Sequence, residues 1–119
     1  MIATTTRAAA IAATLTASPD GATVPVDASA TVPATGYVVA DARHGVTLER
    51  LDADQVERWV LSNLDATPYL GIWADSATGL VYLDTVEILP DRADAMARAA
   101  TLGEIAIWDL GASAEIRCA

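Results

Sequence analysis

The chain has 119 residues, 53% of them hydrophobic and 19% charged, with sixteen acids against seven bases for a formal charge of −9. A chain this long and this apolar folds around one core rather than staying disordered. The acidic surplus excludes a direct grip on nucleic-acid phosphates or on anionic membranes, both of which need a basic footprint.

All seven bases are arginine, and fourteen of the sixteen acids lie after residue 40. Much of the apolar content is alanine, so a thin core is expected, with Trp59, Trp73 and Trp108 supplying much of its burial. Cys118 is the only cysteine, which leaves no internal disulfide. No run approaches the ~20 apolar residues of a membrane span. The stretch from Arg7 to Ala17 imitates a secretory signal only faintly, because Thr14 and Thr16 interrupt a weakly apolar run. The expected compartment is the cytoplasm.

The first predicted element is a short helix from about Arg7 to Leu15, capped by Thr6, with Ile11 and Leu15 on one face. Pro19, Asp20 and Gly21 end it. From Ala22 to Thr35 the chain reads as an extended arm, because Pro25 and Pro33 exclude a central strand. Residues 1–35 therefore form a helix and arm, and residues 36–119 the main α+β domain.

Two short strands follow, Tyr37 to Ala40 and Val46 to Glu49, with Asp41 to Gly45 as the turn between them. Asp52 and Gln55 make a variant capping box for a helix reaching about Asp65, with Val56, Trp59, Val60 and Leu64 as its apolar stripe. Pro68 forbids its continuation. Tyr69 to Ala74 and Leu80 to Ile88 read as a hairpin around a five-residue loop in which Gly79 takes the left-handed position. Pro90 sits in the first turn of the next helix and Gly103 stops it, with Ala93, Met96, Ala97 and Ala100 expected to face the core. Glu104 to Leu110 is the last clear strand, and Glu115 to Cys118 adds a short one.

This order predicts a single α+β domain. Its sheet is mixed or antiparallel, of four to five strands, with the two main helices on one face. Along Leu80 to Ile88, Leu80, Tyr82, Val86 and Ile88 face one side while Val81 and Leu83 face the other. Both faces are thus apolar, and the second needs a cover, either the N-terminal arm, which is preferred, or a second copy in a homodimer.

Arg43-His44-Gly45-Val46-Thr47 resembles the Arg-His-Gly-x-Thr signature of histidine phosphatases, in which the histidine takes up phosphate and the arginine binds it. That chemistry needs a second histidine, and His44 is the only one. A Ser-His-Asp triad would have to combine His44 with a serine such as Ser62 or Ser76, neither in a nucleophile-elbow context. Asp75 and Asp84, read as facing each other across the hairpin, are the best carboxylate pair for a metal, but no histidine or cysteine cluster supports them. No phosphate-binding glycine loop or dinucleotide fingerprint occurs. No catalytic residue, metal site or cofactor is therefore expected.

The strings Thr35-Gly36-Tyr37-Val38, Tyr69-Leu70-Gly71-Ile72-Trp73-Ala74-Asp75, Gly79-Leu80-Val81-Tyr82-Leu83-Asp84 and Ala106-Ile107-Trp108-Asp109-Leu110 carry a family resemblance. The chain resembles small uncharacterised acidic proteins encoded by actinobacteria and by their phages and mobile elements. The resemblance implies an accessory protein and assigns no functional residues.

The function expected is that of a non-catalytic accessory protein working through contacts with a protein partner, with Tyr69, Trp73, Tyr82 and Trp108 as the interaction residues. Two alternatives belong to other classes. One is an acidic mimic of nucleic acid that occupies a DNA-binding protein, which requires the acids in a stripe. The other is a small enzyme using His44 with Arg43 and Asp41.

Overall fold

The computed structural model describes residues 4–18, 20–75, 77–104 and 106–118. Three helices and six strands follow one another as α1 (Thr4–Ala17), β1 (Ala22–Pro25), β2 (Tyr37–Leu48), α2 (Ala53–Ser62), β3 (Tyr69–Ala74), β4 (Val81–Leu89), α3 (Arg92–Leu102), β5 (Ala106–Asp109) and β6 (Ala114–Arg117). The strands make one antiparallel sheet in the order β1-β3-β4-β2-β5-β6. The fold is α+β, with six strands where four to five were expected.

Three differences in the strands have local causes. The arm contributes β1, an edge strand beside β3, where Pro25 can stand without breaking a central ladder. The two predicted strands around Asp41 to Gly45 are one strand, β2. Its register against β4 shifts between Asp41↔Thr85 and Val46↔Leu83, so four residues bulge opposite Asp84 alone. The polar string that reads as a turn is that bulge. Asp75 and Asp84 do not meet, because Asp75 sits beside Leu80 at the loop whereas Asp84 pairs with Gly71.

The helices follow their caps. Asp52 accepts from the Asp54 and Gln55 amides, and Asp91 from that of Asp94. Gly103 ends α3 at φ 75°, a conformation that costs other residues more. Pro90 precedes the Asp91 cap rather than entering the first turn. Helix α1 begins by Thr4, so Thr6 lies inside it, and Pro19, the expected stop, is outside the described residues. Helix α2 ends at Ser62, a turn short of Asp65, and the Asn63 side chain bonds back to the Trp59 carbonyl.

All three helices lie on one face of the sheet. Leu70, Ile72, Val81 and Leu83 point from that face into a cluster with Ile11 and Leu15 of α1 and Val56, Trp59 and Val60 of α2. A second, smaller cluster joins Val39 and Ile107 to Ala95 and Ala99 of α3. The buried residues of α3 are thus Ala95 and Ala99, while Ala93, Ala97 and Ala100 are exposed and Met96 is half-buried. In an alanine-rich helix every face is similarly apolar, so spacing carries little information about which one packs. The core rests on leucine, valine and isoleucine, with Trp59 as the one buried tryptophan; Trp73 is 47% and Trp108 44% exposed.

Candidate functional site

Alternation along the strands assigns each side chain to a face. Val81, Leu83, Thr85, Glu87 and Leu89 of β4 face the helices. Tyr82, Asp84, Val86 and Ile88 face the other way. The registers Tyr69↔Val86, Trp73↔Tyr82 and Val38↔Trp108 put Tyr69, Trp73, Val38 and Trp108 on that second face as well. The four expected interaction residues therefore share one side of the sheet, the side without helices. Trp73 and Tyr82 are cross-strand partners whose rings stack at 5.4 Å with 25° between planes. Trp108 lies toward the opposite end of the face, beside Val38. Between these ends Val38 and Val86 are buried. The first residues of the arm extend the sheet as β1 and add Val26 to the helix-side core.

On the helical face a polar cleft of about 280 Å³ separates the two apolar clusters. It is lined by Asp41, Arg43, His44, Thr67, Thr85, Glu87 and Arg98, among others. Asp41 accepts from Nε and Nη2 of Arg43 at 2.9 and 2.6 Å and from the Arg43 amide at 3.0 Å. The Arg43 guanidinium holds the Asp41 carboxyl down at about 2. Asp41 is 7% exposed but lies in a shallow layer, and its cover, Arg43, is itself 63% exposed, so solvent screens the pair. Arg98 donates to Glu87 at 2.6 Å.

The expected enzyme alternative places its residues here, and the geometry brings them together without arming them. Arg43 is committed to Asp41. His44 has an exposed side chain, and its carbonyl accepts from Nε1 of Trp59 at 3.0 Å. Both hydroxyls in the cleft donate to main-chain carbonyls, Thr67 to Val86 and Thr85 to Asp41. No nucleophile–base pair forms among these groups. Ser62 donates to the Arg58 carbonyl, and Ser76 lies outside the described residues. Among the described residues no three histidine, cysteine or acidic side chains stand close enough to hold a metal.

Many acids have local structural work. Asp52 and Asp91 cap helices; Asp27, Asp75 and Asp109 accept amides in tight turns; Asp41, Glu87 and Glu115 pair with arginines. Two others, Asp84 on the helix-free face and Glu104 near it, have no arginine partner among the described residues. Burial pushes Asp84 up to about 6, aided by nearby Glu104 and Asp41. Burial also raises Glu104, against the pull of the Ala42 amide. Sequence reasoning missed this pair, because only the β2 register places the bulge opposite Asp84.

No protein-family model, curated protein or solved structure matches the chain. No helix among the described residues is long and apolar enough to cross a membrane.

Proposed function

We propose that the chain is a non-catalytic interaction domain that docks a protein partner on the helix-free face of its sheet. The observation that carries this reading is the aromatic area left in water there: Trp73, stacked on Tyr82, is 47% exposed and Trp108 44%. Large half-exposed aromatics on the strands of a sheet have the composition and preorganisation of binding hot spots. The family resemblance adds a setting, an accessory protein of an actinobacterium or of its phages and mobile elements, acting in the cytoplasm.

The two alternatives have weaker support. An acidic mimic needs carboxylates free to imitate phosphates, and half of these are engaged in caps, turns and ion pairs. An enzyme at His44 needs a nucleophile poised by a base or a free cation, whereas both cleft threonines bond to main-chain carbonyls and both cleft arginines pair with acids.

Affinity capture from the expressing cell with wild-type chain and with a Trp73→Ala/Trp108→Ala variant tests the proposal. A protein retained by the wild type and lost by the variant, whether or not DNA is added, is the expected result. Retention of the same protein by both would refute docking on this face, and displacement by DNA would favour the mimic.

A further inference from the structure

The helix-free face has a cross-row unlike its neighbours. Gly71 of β3 stands beside Asp84 of β4, and the register Val46↔Leu83 sets Gly45 of β2 on Asp84's other side. A methyl group on Gly45 would collide with Oδ1 of Asp84 and come within 2.7 Å of the Leu83 carbonyl. On Gly71 it would meet the Val86 side chain at 2.8 Å. The Asp84 carboxylate therefore leans across β2, into space that only glycine leaves, toward Glu104. Tyr82 lies two residues from Asp84 on the same face, roughly 7 Å along the strand. An exposed aromatic stack thus borders a carboxylate that pairs with no arginine among the described residues.

Among the described strand residues, the charged side chains that alternation places on this face are Asp84, Glu115 and Arg117, the last two paired with each other, in a chain of charge −9. We propose that the occupant of this face is a basic segment of a partner protein, one arginine or lysine of which lies over the Trp73–Tyr82 stack and places its charge on Asp84. The inference rests on the interaction reading above and names the chemistry of the partner. Aromatic faces attract cations, and a guanidinium can stack and pair with a carboxylate at once. A second copy of the chain is the poorer occupant. Pairing two copies of the face would bring to each Asp84 carboxylate no cation of the face other than Arg117, which is already paired with Glu115.

The experiment is selection of a random extended-peptide display library on the wild-type chain, with Trp73→Ala as counter-selection. Binding of the selected peptides is then measured on Asp84→Asn and Glu104→Gln. Peptides lost on Trp73→Ala are expected to be enriched in arginine and lysine and to bind about tenfold or more weakly to at least one of the two neutral variants. Near-ultraviolet circular dichroism shows that each variant is folded. Peptides lost on Trp73→Ala but lacking basic residues, or indifferent to both neutral variants, would overturn the basic partner and leave the docking face standing. Failure to recover any peptide that Trp73→Ala loses would overturn both. A dimer in sedimentation at micromolar concentration that Trp73→Ala dissociates would identify a second copy as the occupant and overturn the proposal.

Discussion

Replacing Asp84 by asparagine should stabilise the protein at neutral pH and leave its stability unchanged in acid. The carboxyl rises from 3.8 to about 6 in the folded chain, first because burial disfavours its charge and then because Glu104 and Asp41 repel it. A shift of about 2 units at ~1.4 kcal/mol each corresponds to roughly 3 kcal/mol. The carboxylate is not fully enclosed, so solvent screening reduces this to about 1–2 kcal/mol. Above pH 6 the native chain holds a charge that the unfolded chain holds at lower cost. As pH falls from 6 toward 4, only the native chain takes up the proton, and the wild type gains stability. Below 4 both states are protonated and no further gain follows. Urea unfolding of both chains at pH 8, 7, 6, 5 and 4 reads this effect, together with its coupling to Glu104 and Asp41, in their difference, since the acids that do not interact with Asp84 cancel. The expected rise in urea midpoint for Asp84→Asn at pH 7–8 is about 0.5–1 M, shrinking to nothing near pH 4. An asparagine variant less stable than wild type, by an amount that persists at pH 4, would refute the reasoning and mean that the carboxylate makes a favourable bond.

Other substitutions read the same structure. Asp41→Asn should behave in the opposite sense: the carboxyl held at about 2 by Arg43 contributes stability above pH 4 that is lost as pH falls toward 2. That variant should be about 1 kcal/mol less stable than wild type at pH 7 and equal to it below pH 2. Gly45→Ala drives a methyl toward the Leu83 carbonyl and the Asp84 carboxylate, and should cost about 3 kcal/mol in thermal or urea unfolding. Leu83→Ala, at a fully buried position, should cost about 2–5 kcal/mol. Trp73→Ala should change stability by about 1 kcal/mol or less while abolishing partner binding, a separation that unfolding and binding assays on one preparation can check.

Elements with strong local chemistry were legible in the sequence. Asp52, with Val56, Trp59 and Val60 at helical spacing, announces α2; Gly79 marks the hairpin turn, and Gly103 the end of α3. What the sequence concealed depends on partners distant in the chain. The phase of α3 is invisible because alanine on every face gives no contrast. Arg43-His44-Gly45 reads as a turn because a bulge exposes polar residues just as a turn does. Pro25 suggests an arm, yet an edge strand tolerates proline. Tyr69, Trp73, Tyr82 and Trp108 could be chosen for aromatic area alone; that they share the helix-free face follows from registers that no local pattern encodes. The placement of Gly71, Asp84 and Gly45 in one row is of the same kind, and so escaped notice.

The measurement that bears most directly on the docking face is site-specific photocrosslinking in the expressing cell. A benzophenone amino acid would replace Trp73 or Trp108 on the sheet, or Ala13 or Ala97 on exposed helix surfaces. A discrete adduct with one protein from positions 73 and 108, and none from 13 and 97, is the predicted result. An adduct formed only from the helix positions would contradict the account, because it would put the partner on the opposite side of the molecule.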